Sequence, residues 1–250
     1  MVKQIHIDPL SCVSLHLESF SNGASLGVGT GFVVVYSGTN YLVTNWHIVT
    51  GRDPDTGKPM STTGAADPDA IGIWLHDANR LGSWHRTIEP LIDTTTGNRL
   101  WKEHPRGRQI DVICLALKPS VDIKVYDLDT SLAHTDLVLV PSEPVSIVGF
   151  PFGISAAGKF PIWKTGHIAS DIDLDYNAKP VFLVDATTRP GMSGSPVFAR
   201  RMGGHRSSNA MWNLGGNAVR FLGVYSGRIR EQSDVAMVWK PDVIDEILQQ

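Results

Sequence analysis

Gly191-Met192-Ser193-Gly194-Ser195-Pro196 holds a serine between two glycines, and Thr44-Asn45-Trp46-His47 places a histidine far upstream of it. A serine hydroxyl is a weak nucleophile at its ordinary pKa. It attacks a carbonyl when a base within hydrogen-bond reach takes its proton and a carboxylate orients that base. Ser193, His47 and Asp111 are the residues that fill these three places. Gly191 leaves backbone N–H groups free to face a developing oxyanion, and Gly194 removes a Cβ that would obstruct substrate. The expected oxyanion hole is therefore the N–H groups of Gly191 and Ser193, which must lie about 3 Å from the tetrahedral oxygen. Ser195 is the rival nucleophile, and Asp93 and Asp122 are the alternative carboxylates. Asp111 has the strongest claim because it stands at the entrance to the apolar run that begins Val112-Ile113-Cys114-Leu115. A carboxylate buried there without a partner would be costly, and a hydrogen-bonding imidazole removes that cost.

The elements that must position these groups read as strands. Short apolar stretches at 14–17, 30–36, 41–44, 71–75 and 112–117 form one set. A second set follows at 137–140, 145–150, 162–170, 181–185, 196–198, 221–226 and 235–239. Gly, Pro, Asn and Asp punctuate them, the pattern of an all-β chain built from hairpins. Residues 241–250 read as a short helix: a proline stands at its start, acidic residues follow, and Val243, Ile244, Ile247 and Leu248 make one apolar stripe. Three stretches, 51–70, 93–109 and 200–220, read as long mobile loops. No internal sequence repeat is evident.

Taken together, these segments resemble a trypsin/chymotrypsin-like serine protease, closest to the bacterial HtrA-type and stand-alone trypsin-like branch. Gly29-Thr30-Gly31-Phe32-Val33-Val34 resembles the strand preceding the histidine strand of that branch, and Tyr41-Leu42-Val43-Thr44-Asn45-Trp46-His47 the histidine strand itself. Ile110-Asp111-Val112 resembles the aspartate segment, and Val148-Gly149-Phe150-Pro151-Phe152-Gly153 and Thr165-Gly166-His167-Ile168 the early strands of the second half. Leu222-Gly223-Val224-Tyr225-Ser226-Gly227 resembles the strand that pairs with substrate. The chain order His, Asp, Ser agrees with that family, whereas a nucleophile-elbow esterase places its serine first.

The resemblance implies an all-β fold of two six-stranded antiparallel β-barrels with a short C-terminal helix, spanning residues 1–250 as one peptidase domain. The N-terminal barrel would cover about 1–120, the C-terminal barrel about 133–240 and the helix 241–250, with the site between the barrels. It further implies that Thr187, six residues before the serine, lies at the base of the primary pocket. A neutral hydroxyl there would offer no anchor for Lys or Arg. Tyr225, Ser226 and Gly227 would pair with substrate backbone, and Ser226 would donate to Asp111. Arg228 and His167 are candidates for recognising acidic or amide side chains. Met192 stands where zymogen-type relatives carry an aspartate, and Met1-Val2-Lys3-Gln4 offers no processed Ile-Val start, so trypsin-style activation is not expected.

Composition bounds the alternatives. The net charge of −3 over 250 residues gives no global drive toward nucleic acid or an anionic membrane, and the basic stretch at 200–206 reads as a solvated loop. Cys12 and Cys114 read as buried free thiols. Of the nine histidines, His76, His85, His104, His134 and His205 read as surface residues, and none shows metal-ligand spacing with a neighbour. No metal and no cofactor is expected. The start lacks an apolar signal segment and no run of about 18 apolar residues occurs, which makes a cytoplasmic address the expectation. The expected activity is a serine endopeptidase acting on protein or peptide substrates, with no nucleic-acid or membrane partner. The competing reading is a protease-fold sensor or binding module kept inactive until an activating partner engages it.

Overall fold

The computed structural model describes residues 5–61, 66–208, 212–230 and 232–250. Met1-Val2-Lys3-Gln4 lies outside the described residues. The first half runs through α1 (Leu10–Val13), β1 (Leu15–Ser21), β2 (Ala24–Tyr36), β3 (Thr39–Thr44), α2 (Trp46–Thr50), β4 (Ala70–Asp77), β5 (Trp84–Pro90), β6 (Trp101–Glu103), β7 (Ile113–Leu117) and β8 (Ile123–Lys124). These strands form one eight-stranded sheet of order β5-β4-β1-β2-β3-β7-β6, with β8 added on β4. The second half contains β9 (Pro144–Gly149), β10 (Ile162–Ile168), β11 (Val181–Asp185), β12 (Pro196–Arg206), β13 (Trp212–Arg228) and β14 (Val235–Trp239), followed by α3 (Asp242–Leu248). It closes into a six-stranded barrel of order β10-β11-β14-β13-β12-β9. The architecture is thus all-β, a closed six-stranded barrel and a second, eight-stranded sheet, with a short C-terminal helix.

Alternation explains the first half. Leu15 and Leu17 of β1, Leu42 of β3, Ile71, Ile73 and Leu75 of β4, and Leu115 and Leu117 of β7 converge in one buried cluster. Each such side chain contributes about 1.5–3 kcal/mol relative to exposure. β2 is buried on both faces: Val33 joins this cluster, while Phe32 and Val34 join a second one between the halves. A strand covered on both sides must be continuously apolar, which is why Phe32-Val33-Val34 shows no alternation. The second cluster also takes Val148, Phe198, Phe221 and Trp239 from the barrel and the whole α3 stripe of Val243, Ile244, Ile247 and Leu248.

Several expectations change on contact with the structure. Most of the stretch 200–220 is not a loop: β12 runs to Arg206 and β13 starts at Trp212, and the two pair as a ribbon, Met202 with Asn217 and Arg206 with Trp212, while residues 209–211 lie outside the described residues. The ribbon's glycines conceal the alternation that pairing imposes. The 93–109 stretch contains β6, and residues 137–140 form no strand beyond a single bridge from Leu137 to Ser207. His76 is buried rather than on the surface, packed edge-on against Tyr126 and near Trp84 and Phe160. His104 is buried too, paired with Glu246 of α3. Cys12 and Cys114, by contrast, are buried free thiols as expected. Arg200 and Arg201 are held by Asp8 at 2.6 Å and Glu143 at 3.0 Å. Two loops also repeat one local design. Gly57 N–H donates to Asp53 O at 2.7 Å, and Gly97 N–H to Asp93 O at 2.8 Å. In each, the aspartate side chain accepts from a threonine amide, Thr56 at 2.7 Å and Thr96 at 3.0 Å.

Candidate active site

β3 ends at Thr44, and the chain turns at once into the short helix α2, with Asn45 at its cap and His47 in its first turn. First-turn amides of a helix have no partner within it. That of His47 goes to Asp111 Oδ1 at 2.9 Å. The imidazole Nδ1 lies 2.7 Å from Asp111 Oδ2. Ser226 Oγ donates to the same Oδ2 at 2.6 Å, and Asn45 Nδ2 to the Asp111 main-chain oxygen at 2.6 Å. Asp111 is 1% exposed, so its charge is offset by these donors rather than by solvent. Because an ionised carboxylate can only accept, Nδ1 carries a proton and Nε2 of the neutral ring keeps its lone pair. Burial pushes the His47 pKa down, but the charge and hydrogen bond of Asp111, with a contribution from Asp53, outweigh it and leave the value above 6.5.

Ser193 stands on a turn whose backbone requires two glycines. Gly191 has φ +93° and Gly194 φ +84°, both left-handed. A Cβ at Gly191 would fall 2.4 Å from Phe150 O, and one at Gly194 would fall 1.9 Å from Thr30 O. The peptide planes are fixed from behind. Pro190 O accepts from Phe152 N–H at 2.6 Å, and Met192 O accepts from Ser195 N–H at 3.0 Å. No cis peptide bond occurs among the described residues, and in a trans peptide the C=O and N–H point in opposite directions. Gly191 N–H and Ser193 N–H therefore point away from those anchors, and neither has an acceptor among the described hydrogen bonds. Met192 is completely buried in the barrel core, where it packs as an apolar side chain.

His47, Asp111, Ser193, Gly191, Tyr225, Ser226 and Gly227 line one cleft of about 580 Å³. The base and its carboxylate are joined; the serine is not yet joined to the base. Ser193 Oγ donates to Ser226 O at 3.0 Å, and no Ser193–His47 hydrogen bond is among the described contacts. Ser226 thus touches both ends of the constellation, through its hydroxyl and its carbonyl. Ser195 is completely buried with no partner for its Oγ, which leaves Ser193 as the accessible hydroxyl of the turn.

Thr187 is exposed and does not line the cleft; Thr188 does. The Thr188 hydroxyl is 1% exposed as a residue and hydrogen-bonds the Tyr225 hydroxyl. The main chain of Tyr225 is committed to the nucleophile turn, receiving Gly194 N–H at 2.8 Å and donating to Ser195 O at 2.9 Å. It is thus not free for a substrate strand, and Tyr225 meets the cleft through its side chain. Gly227 keeps an open flank, with nothing within 4 Å of a Cβ built there. The cleft carboxylates besides Asp111 are Asp53, Asp55 and Asp67, all between α2 and β4, while Arg189 and Arg228 flank Thr188 and Tyr225. His167 is exposed and lies outside the lining. Sequence reasoning missed Thr188, Asn45 and residues of 51–61 and 66–68 as parts of this site. Asn45 had a readable signal, a polar residue two positions before the histidine, directly after an apolar strand.

A sequence profile described as a trypsin-like peptidase domain matches residues 29–203. Among curated proteins none matches the chain. Of solved structures, a serine endoprotease from Yersinia pestis is 12% identical, with a TM-score of 0.51 over 98% of this chain and 67% of that one. The Rv3671c protease from M. tuberculosis in its active form is 15% identical, with a TM-score of 0.49 over 96% of this chain and 81% of that one. The same protease in its inactive form is 14% identical, at 0.49 over 96% and 89%.

Proposed function

The chain belongs to the trypsin-like peptidase family, and from that premise we propose that it is a serine endopeptidase working through an acyl-enzyme. The observation that carries the reading is one cleft holding the His47–Asp111 pair, an accessible Ser193 and two unpartnered amides, those of Gly191 and Ser193. Ser193 Oγ attacks the scissile carbonyl carbon while His47 Nε2 takes the hydroxyl proton. Asp111 stabilises the imidazolium, and the tetrahedral oxyanion accepts from the N–H groups of Gly191 and Ser193. The C–N bond breaks, and the amine leaves with the proton held by His47. Water, deprotonated by the same imidazole, then adds to the acyl carbon; the bond to Ser193 Oγ breaks, the carboxylic acid product leaves, and the imidazolium returns the proton to Ser193.

The primary pocket is assigned to the wall of Thr188 and Tyr225, one residue on from Thr187. Its charged neighbours are Arg189 and Arg228. A substrate Lys or Arg entering there would meet like charge, which argues against trypsin-type preference.

One observation favours the second reading, a dormant module switched on by a partner: the Ser193 hydroxyl rests on Ser226 O. A neutral hydrogen bond of this kind is worth about 0.5–1.5 kcal/mol net, and a rotamer change takes picoseconds to nanoseconds. That cost is too small to hold an enzyme off by itself, so the active reading stands ahead. Reaction with a fluorophosphonate probe separates the two. Wild type should label and Ser193→Ala should not, with the fold retained. Absence of labelling in wild type, restored by a binding protein, would establish the dormant form instead.

A further inference from the structure

Thr30 stands at the centre of β2 in the first half, yet three of its hydrogen bonds reach the second half, two of them to the nucleophile turn. Its N–H donates to Ser193 O at 2.8 Å. Its Oγ1 donates to Gly191 O at 2.8 Å and accepts from Phe150 N–H at 3.1 Å. Its own carbonyl accepts from Thr44 Oγ1 at 2.8 Å, next to the start of the His47 helix. The residue is completely buried, and Gly194 is a glycine because the Thr30 carbonyl occupies the space of its Cβ.

The consequence lies in which peptides these bonds fix. Each oxyanion donor is flanked by two peptide planes. Phe152 and Ser195 hold the planes before Gly191 and before Ser193. Thr30 holds the planes after them, through Gly191 O and Ser193 O. With both flanking planes fixed, neither amide can turn out of the cleft without breaking a hydrogen bond. We propose that Thr30 is a positioning residue that locks the oxyanion hole from the opposite half of the molecule, so that the hole is set only when the two halves are docked in register. The proposal rests on the peptidase reading above. It also explains how the hole is held where Met192, an apolar residue, offers no charge to anchor it.

The test compares wild type, Thr30→Val and Thr30→Ser in steady-state peptide hydrolysis, with rates normalised to the folded fraction by circular dichroism. Valine keeps the shape and removes the hydroxyl. Loss of a complete oxyanion donor costs roughly 10²–10³ in turnover, and a loosened donor should cost less. The expected result is a fall in kcat of about 10–100-fold in Thr30→Val with KM changed by less than about two-fold. Binding of a peptidyl aldehyde, whose hemiacetal oxygen enters the hole, should weaken in parallel, and Thr30→Ser should recover most of both. An unchanged kcat, a rise confined to KM, or a serine variant as slow as the valine one would each overturn the proposal. If Thr30→Val folds too poorly to assay, Thr30→Ala, which leaves a small gap in place of a methyl against Gly191 O, is read by the same criteria. Wild type that neither hydrolyses peptide nor labels would sink the peptidase reading itself, whereas an active wild type with an equally active valine variant would sink only the role of Thr30.

Discussion

His47 and Asp111 are tied side chain to side chain, three hydrogen bonds converging on one buried carboxylate. Across the cleft Ser193 is held almost wholly through its backbone, with its hydroxyl on a neighbouring carbonyl. The two halves of the site therefore fail in different ways. The first should lose function by degrees as single donors are removed. The second depends on left-handed glycines with no room for a Cβ, so a single methyl should break it outright.

The largest effect that this contrast predicts is at Gly194. Gly194→Ala sets a Cβ 1.9 Å from Thr30 O at φ +84°. Strain and overpacking together should destabilise the fold by about 3 kcal/mol or more, with hydrolysis lost. Thermal unfolding and turnover are the readouts, and a variant as stable and active as wild type would erase the distinction between the halves. Asp111→Asn comes next. The amide forces the wrong imidazole tautomer, and kcat should fall by about 10⁴ with the fold kept. Comparable turnover in the asparagine variant would show that the carboxylate does not orient the base.

What the sequence revealed follows the same division. The meeting of Ser193, His47 and Asp111 in one cleft was readable because the chemistry proposed for them demands particular residue types in flanked, apolar settings. β11 and β14 were readable to the residue because continuous apolar runs end at clear turn signals. Thr30 was not, since its role is to reach Gly191, 161 positions away, and nothing in a Gly-Thr-Gly stretch announces that partner. The same limit applies to Thr187 and Thr188: adjacent threonines on an extended segment face opposite ways, and the phase is set by the Thr188–Tyr225 contact. β5 was passed over because Trp84–Pro90 pairs along an edge with most of its side chains partly or fully exposed, leaving little apolar signal.

A smaller effect is expected at Ser226. Ser226→Ala removes one of the three donors to the Asp111 carboxylate and leaves the main-chain oxygen that receives Ser193. Hydrogen bonds to charged groups are worth about 1.5–3 kcal/mol, and with the two His47 bonds intact the loss should sit at the low end, about ten-fold in kcat/KM. A loss as large as that of Asp111→Asn would mean that the carboxylate has no redundancy, against the graded behaviour argued for this half.

The finest test uses the two matched turns. Hydrolysis requires neutral His47, so activity should rise with pH through a midpoint above 6.5, because Asp111 and Asp53 hold the proton on against burial. The stability that His47 contributes has the opposite profile. It is fully present below about pH 6.5 and fades as pH climbs through the folded-state value. Asp53 lines the cleft and raises the His47 pKa; Asp93 caps the equivalent turn outside the cleft. Asp53→Asn should move the rising limb to lower pH by a fraction of a unit, and Asp93→Asn should leave it in place. Both variants keep an acceptor for the threonine amide, so turn stability should change alike. Equal shifts in the two would assign the effect to overall charge, and no shift in either would place Asp53 too far into solvent to be felt by the imidazole.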